Sequence, residues 1–99
     1  MQVFIKVFSL NNSVEISIDT VANTFLYNSK VVLVDTIAFV TKLQHITGSW
    51  EKCMVDNSIT DGFSYSVTYK TANTTTNYFG QNKLPENYSQ FEKLLSEVM

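Results

Sequence analysis

The segment that decides the fold runs from Phe63 to Phe79 and reads FSYSVTYKTANTTTNYF. Serine and threonine alternate in its first half with larger aromatic or β-branched residues, namely Phe63, Tyr65, Val67 and Tyr69. A period of two is typical of a strand with one buried face. Residues 70–73 predict a turn and residues 74–79 predict the returning strand, so this part of the chain is expected to form an aromatic β-hairpin.

Three more strands are predicted nearer the N-terminus. Residues 14–19 alternate strictly between apolar and polar, which predicts a strand with one face in water. Residues 3–8 are apolar on both sides apart from one lysine, which favours a central or covered strand. A turn is predicted at residues 11–13, and after a second turn at residues 22–23 the segment 24–27 is expected to pair back as a hairpin.

The period changes to that of a helix after residue 35. Polar residues, including His45, occupy one side of this segment, and apolar residues recur on the other at Ile37, Phe39, Val40, Leu43 and Ile46. Asp35 is a candidate N-cap, and Gly48 suits the C-terminal cap. Residues 31–34 fit a strand end and a first helical turn equally well, so the sequence leaves the start of the helix open.

A second helix is predicted from residue 85 to residue 98, with an apolar stripe at Phe91, Leu94, Leu95 and Val98. Pro85 is expected in its first turn, because the missing N–H is not needed there. Glu86 near its start complements the helix dipole. The connector 49–62 between the two halves has space for one short strand.

Two similar turn sequences indicate an internal repeat. TVANT at residues 20–24 is similar to KTANT at residues 70–74, and each is followed by a strand and then a helix. We therefore predict a single α+β domain over residues 1–99. It consists of a mainly antiparallel sheet with two helices on one face, arranged as a pseudo-repeat ββα-ββα.

Composition and charge narrow the classes of partner. The formal net charge is −2, and the seven basic residues are all lysines that form no patch along the sequence. Nucleic-acid binding is not expected, because it favours clustered basic residues and the geometry of arginine. No segment has the roughly 18 apolar residues of a membrane span, and the N-terminus lacks a signal-peptide pattern. A single cysteine excludes an intramolecular disulfide, so a cytoplasmic protein is expected, and the lack of arginine indicates an AT-rich bacterial or phage genome.

Residues that build active sites are few in this chain. His45 is the only histidine and is expected to be solvated, and Cys53 is the only cysteine and is expected to act as a small hydrophobic residue. A pocket that binds a small ligand near these two residues is one functional hypothesis, an alternative to the two that are given below. Residues 56–62 are rich in oxygen ligands but lack the acidic twelfth ligand of a calcium loop, so a polar turn is expected. We predict no catalytic residue, no metal and no cofactor, since zinc needs about four ligands and no glycine-rich phosphate motif is present.

The aromatic residues are the one surplus of this composition. Packing in the core is their default role. Two of them are candidates for exposed anchors, because Trp50 lies in a polar connector and Tyr78 lies in the second strand of the hairpin. Trp and Tyr are enriched at protein-binding surfaces. Trp50 and Tyr78 are therefore the predicted protein-binding residues.

The C-terminal part of the chain carries a family resemblance. It contains DGFSYSVTY, a second strand that ends in YFG, and then KLPENYSQFEKLL. An aromatic hairpin, a Leu-Pro pair and a leucine-rich helix in this order, together with the preceding strands and helix, resemble the emfourin family. The residues that carry the likeness are Asp61, Phe63, Tyr65, Leu84, Pro85, Leu94 and Leu95. The Gly-Gly-Phe stretch common near the first strand of that family has no counterpart in MQVFIKVFSL. The resemblance implies a small cytoplasmic bacterial inhibitor of thermolysin-like metalloproteases such as protealysin.

Two functional hypotheses from different classes follow. The first is a non-enzymatic protein-binding module, an inhibitor or regulator that acts by occluding the surface of a partner. The second is a homo-oligomeric structural or accessory protein, such as a homodimer, that buries its aromatic sheet face against its own copy. An exposed apolar patch around Trp50 or at a sheet edge would favour the first hypothesis.

Overall fold

The computed structural model describes residues 1–9, 12–55 and 62–98, which form one seven-stranded sheet and two helices. The elements are β1 (Gln2–Ser9), β2 (Asn12–Asp19), β3 (Thr24–Tyr27), β4 (Lys30–Val31), α1 (Thr36–Thr47), β5 (Cys53–Val55), β6 (Ser64–Lys70), β7 (Thr75–Gln81) and α2 (Tyr88–Ser96). Across the sheet the order is β4-β3-β2-β1-β6-β7-β5. All neighbouring strands are antiparallel except β5 and β7, which are parallel. The predicted α+β fold with a mainly antiparallel sheet is confirmed.

Strand β1 lies at the centre of the sheet. Ile5 is paired with Ile16 of β2 on one side and with Val67 of β6 on the other, and these three side chains are buried on the same face. The intervening residues Phe4 and Phe8 point to the opposite face and are 42% and 54% exposed. The central position predicted for this strand is confirmed, but only one of its two apolar sides is covered.

Both helices cover the face that carries Ile5. The ring of Phe39 in α1 meets Phe25 of β3 edge to face, with 5.0 Å between the ring centroids. In α2, the ring of Tyr88 lies 5.5 Å from that of Tyr65 in β6. All of these side chains belong to one buried cluster, so the sheet and both helices share a single hydrophobic core.

The ends of α1 follow the residues that the sequence indicated. Asp35 is the N-cap, and its Oδ1 accepts a hydrogen bond of 3.1 Å from the backbone N–H of Ala38. Gly48 is the C-cap with a right-handed φ of −61°, so it does not use the left-handed conformation open to glycine. Val31 ends strand β4, which decides in favour of a strand end at the start of the segment 31–34. Ile37 was expected in the core but is 64% exposed; Thr36 is buried in its place.

Helix α2 begins later than predicted. Its first residue is Tyr88, and the carbonyl of Pro85 accepts a hydrogen bond of 3.1 Å from the backbone N–H of Tyr88. Pro85 therefore forms a turn before the helix, and its predicted place in the first helical turn is wrong. The N-cap residue Asn87 does not cap the helix with its side chain. Its amide instead donates to the carbonyl of Ile46 at 2.9 Å and accepts from the indole N–H of Trp50, which ties the two helices together.

The predicted short strand in the connector is β5, at one edge of the sheet. Met54 is paired with Gly80 of β7, and the backbone N–H of Phe79 donates to the carbonyl of Lys52 at 2.9 Å. β5 runs in the same direction as β7, whereas β6 on the other side of β7 runs antiparallel to it. The polar turn predicted over residues 56–62 lies outside the described residues, apart from Gly62.

The hairpins β2–β3 and β6–β7 each end at a left-handed asparagine that is hydrogen-bonded to the backbone in or next to the partner strand. Asn28 follows β3 with φ 48°, and it exchanges two hydrogen bonds with the backbone of Glu15, one from its own N–H and one to its Oδ1, both 2.7 Å long. Asn82 follows β7 with φ 58°, and it exchanges the same two bonds with Phe63 at 2.9 Å and 3.1 Å. Asparagine suits this position because its short polar side chain lowers the cost of the left-handed conformation.

The two turns that indicated an internal repeat differ in conformation. Asn23 in the first turn is left-handed with φ 54°, and Asp19 Oδ1 accepts from the backbone N–H of Val21 at 2.9 Å. In the second turn the hydroxyls of Thr71 and Thr74 lie 2.7 Å apart, and no such asparagine conformation occurs. The element order is ββββα-βββα. The ββα-ββα pseudo-repeat stays a prediction.

The loop between β3 and β4 allows a test of backbone strain. Asn28 and Ser29 both have positive φ, 48° and 68°, which is the type I′ turn that normally takes glycine at its second position. Ser29→Gly is expected to raise the free energy of unfolding by about 0.5 kcal/mol, because the relief of left-handed strain exceeds the added entropy of the unfolded chain. Urea denaturation measures the change. Ser49→Gly, at an exposed position without positive φ, is the control and should lower stability slightly; a similar loss in both variants would contradict the strain argument.

Candidate functional site

Trp50, which the sequence indicated as an exposed anchor, is buried. Only 6% of its surface is accessible, and its ring lies edge-on to Tyr65 and Phe91 with centroids 5.2 Å apart in each case. Its indole N–H donates to Asn87 Oδ1. The prediction that Trp50 is exposed is therefore wrong. The connector is polar, but this side chain points inward and packs in the core beneath α2.

Tyr78, the second predicted binding residue, is partly buried on the helix-covered side of β7. Its ring lies 6.3 Å from that of Trp50 and 6.2 Å from that of Tyr69. It lines a shallow groove of about 250 Å³ together with Thr47 and Thr76. Tyr78 retains some exposure, so its role in binding stays a prediction.

His45 and Cys53 do not form a common site. His45 is exposed on α1 and lines a groove of about 510 Å³ between the two helices. Cys53 is exposed on the edge strand β5 beside Phe79, whose side chain lines a groove on the opposite face of the sheet. The helices and the sheet thus separate the two residues, and the hypothesis of a small-ligand pocket shared by them loses its basis.

The surface that remains as a candidate site is the face of the sheet opposite the helices, here called the open face. Within residues 1–9, 12–55 and 62–98, both helices pack on the other side, and Phe4 and Phe8 of the central strand stand exposed. The residues paired with them on β2 and β6 are small and polar, namely Ser13, Ser17, Ser64 and Thr68, and Ser66 on β6 and Asn77 on β7 extend this polar surface. Two benzyl groups therefore project from a flat surface of hydroxyls and amides.

Further apolar residues extend the open face toward both edges. Ser17 separates Phe4 from Leu26, and Leu26 is paired with Val31 at the β4 edge, where Val31 is largely exposed. On the other side, Phe79 is paired with Ser66 and lies partly exposed. The apolar residues are thus spaced across the sheet rather than gathered into one large patch.

An ion pair marks the middle of the open face. Lys6 Nζ lies 3.6 Å from Glu15 Oε1, and these side chains are 71% and 66% exposed. Two shallow grooves of about 460 Å³ each flank the pair, one beside Phe4 and one beside Phe8. Exposed ion pairs contribute little to stability, so this pair is available for interaction with a partner without a large cost to the fold.

The residues that the structure describes contain no group of three or more His, Cys, Asp or Glu side chains placed to hold a metal ion. Neither of the two described helices has the length and apolar character needed to cross a membrane.

Comparisons of the chain with protein-family models, with curated proteins and with solved structures gave no match.

The aromatic core beneath Trp50 gives a prediction for alkaline pH. Burial raises the pKa of Tyr69 from 10 to about 12, an effect that its hydrogen bond with Thr47 partly offsets. Burial also raises the pKa of Tyr65 and Tyr88. Because the folded-state pKa is the higher one, the unfolded chain loses these protons first. Stability that is fully present below pH 10 is therefore lost as the pH rises toward 12, by about 1.4 kcal/mol per pH unit for Tyr69 alone.

Urea unfolding at several pH values between about 8 and 11 measures this loss. Tyr69→Phe is the matched variant, because it keeps the ring and removes one titrating group. It is less stable than the wild type at neutral pH, since the bond to Thr47 is lost, but its stability should fall less steeply above pH 10. Equal slopes for the two proteins would show that Tyr69 does not contribute.

Proposed function

We propose that this protein is a non-catalytic binding module that contacts another protein chain through the open face. The observation that carries the proposal is the exposure of Phe4 and Phe8 on the central strand of a sheet whose other face carries the hydrophobic core. Exposed aromatic side chains on a rigid support lose little conformational freedom on binding and are typical anchors of protein interfaces.

The chemistry of the open face supports contact with a protein rather than with nucleic acid or a small molecule. Its strand residues are mainly Ser, Thr and Asn around the two phenylalanines, and its basic side chains Lys6 and Lys70 are matched by Glu15 and Asp19. Such a surface lacks the positive field that attracts phosphates. Its grooves are shallow, whereas small-ligand sites enclose most of the ligand.

Capture experiments test the proposal with a matched pair of variants. Phe4→Thr/Phe8→Thr removes both anchors and introduces β-branched residues that favour the strand. Ile37→Thr removes an apolar side chain of α1 that is more exposed than either phenylalanine, and it serves as the control. The expected result is a stoichiometric partner, its own chain included, that is retained by the wild type and by Ile37→Thr and lost with the double variant. A partner retained equally by all three proteins would overturn the assignment of the open face.

An inhibitor of thermolysin-like metalloproteases is the specific form of this function that the emfourin resemblance suggests. The hairpin β6–β7, the pair Leu84-Pro85 and helix α2 support it, because they follow one another in the order on which the resemblance depends. Inhibition would act by steric occlusion, with no chemistry from this chain. Titration of a purified thermolysin-like protease with the wild type and with Phe4→Thr/Phe8→Thr tests it; undiminished proteolysis at a molar excess of the wild type would exclude this form.

The cytoplasm is the proposed location. Cys53 is a free thiol on the surface of the protein. Such a thiol is compatible with a reducing compartment, whereas an oxidising compartment would oxidise it. Mass spectrometry of the protein from source cells lysed in an alkylating reagent tests the location: Cys53 alkylated throughout is expected, and oxidised or disulfide-linked Cys53 would contradict it.

A further inference from the structure

We infer that the chain which occupies the open face is a second copy of this protein, so that two sheets pack face to face as a symmetric dimer. The inference rests on the proposed function and names its partner. Four features of the open face carry it: its balanced charge, the position of its ion pair, its size, and the spacing of its apolar side chains.

The charge on the open face is balanced. Among the described strand residues of this face, the charged side chains are Lys6, Lys70, Glu15 and Asp19. Two positive and two negative charges cancel, although the whole chain carries −2. A strongly basic or acidic partner would have no net electrostatic attraction to such a surface. A second copy of the same surface meets no net electrostatic repulsion.

The ion pair makes the open face self-complementary. In a two-fold symmetric interface the same patch is used by both copies, so a group at the centre meets the corresponding patch of its partner. Lys6 lies near the middle of the central strand, and Glu15 is its neighbour on β2. A two-fold axis close to this pair sets each Lys6 beside the Glu15 of the other copy and creates a square of alternating charge. Each charge then has two opposite neighbours, whose attraction opposes the cost of its desolvation.

The size and pattern of the open face are sufficient for a dimer. Five central strands spaced about 4.8 Å apart and about seven residues long present roughly 600 Å² per copy, or about 1,200 Å² for the two copies. This area lies at the lower end of the range for stable interfaces, so a dimer in the micromolar range is expected. Paired sheets pack about 10 Å apart, and the gaps between Phe4, Phe8, Leu26 and Phe79 are where the rings of a second sheet can interdigitate.

Sedimentation equilibrium or light scattering after size exclusion, over a concentration series, measures the dimer. The wild type and the control Ile37→Thr are expected to dimerise with the same dissociation constant. In Phe4→Thr/Phe8→Thr the constant should rise at least about tenfold. Urea denaturation of each variant at low concentration confirms that the monomer is folded, since these side chains contribute little to the core.

Charge reversal tests the position of the two-fold axis. Lys6→Glu brings four carboxylates together at the centre of the dimer, and Glu15→Lys brings four ammonium groups together. Each variant alone should weaken the dimer at least about tenfold. An equimolar mixture of the two should form a heterodimer with an affinity close to that of the wild type, and Lys6→Glu/Glu15→Lys should again form a homodimer.

The outcomes separate this inference from the proposed function. A wild type that stays monomeric at concentrations on the order of 1 mM overturns the dimer. If the open-face variant also loses a different captured protein, the proposed function stands with another partner. A dimer that is insensitive both to Phe4→Thr/Phe8→Thr and to charge reversal uses another surface and overturns the inference as well. A dimer that each single charge variant loses, and that both the mixture of the two variants and Lys6→Glu/Glu15→Lys restore, establishes face-to-face packing.

Discussion

Trp50→Ala is expected to lower the free energy of unfolding by about 4 kcal/mol, a large part of the stability of a domain of this size. The substitution empties the space between Tyr65 and Phe91, whose rings contact the indole at 5.2 Å. It also removes the donor that satisfies Asn87 Oδ1, and the loss of that bond loosens the join between α1 and α2. Chemical denaturation monitored by circular dichroism measures the effect.

Trp50→Phe is the matched control for this prediction. It keeps an aromatic ring between Tyr65 and Phe91 but makes no bond to Asn87, so a loss of about 2 kcal/mol is expected. The two variants together separate ring packing from hydrogen bonding. The opposite pattern, with stability unchanged in Trp50→Ala and partner capture lost, would mean that Trp50 is the exposed anchor the sequence indicated.

Local patterns were sufficient for most of the secondary structure. The strict alternation in residues 14–19 and 64–70 identifies β2 and β6, because a period of two records directly which face is buried. The N-cap Asp35 and the helical spacing of Phe39, Val40 and Leu43 likewise identify α1. These features depend on neighbours within a few residues, so the sequence contains all the information needed.

Features that depend on distant partners were not predictable in this way. The sequence allowed a short strand in the connector 49–62 but could not fix its bounds or its partner, because the three residues of β5 are too few to show a period and pair with β7, more than 20 residues further along the chain. The burial of Trp50 has the same origin: its neighbours in sequence are polar, while the aromatic rings that surround it come from β6, β7 and α2. The composition of the connector therefore gives no information about contacts with residues that are distant in sequence.

The sequence contains two signals that one face of β1 is exposed to water. Phe4, Lys6 and Phe8 share one parity of β1, and Lys6 alone breaks an otherwise apolar run. Apolar residues at both the odd and the even positions of β1 favoured a central or covered strand, whereas the lysine indicated that the even positions face water. The serines and threonines of the neighbouring strands were a second signal, since they occupy the same face once the register is known. Register depends on non-local pairing, so this signal appears only in the folded sheet.

Gly80→Ala is expected to destabilise the protein by about 3 kcal/mol or more, the second of the two largest effects. A Cβ atom on residue 80 would lie 2.0 Å from Cε1 and 2.3 Å from Cζ of Tyr65, well inside van der Waals contact. Tyr65 cannot move aside, because it is fully buried with Trp50 and Tyr88 packed against its ring. The substitution must therefore push β7 away from β6 and break the pairing on which β5 also depends. Urea denaturation measures the loss.

A second substitution makes this prediction testable even if Gly80→Ala alone does not fold. Tyr65→Val removes the ring that occupies the space above Gly80 and replaces it with a β-branched residue that also favours a strand. In that background Gly80→Ala should cost less by at least about 1 kcal/mol, since the two residues are in contact and their effects are not additive. Gly48→Ala, at a helix end with φ −61°, is the control and should stay within about 1 kcal/mol of the wild type. Equal costs of Gly80→Ala with and without Tyr65 would mean that the ring is not the obstacle, and that residue 80 requires glycine for its backbone alone.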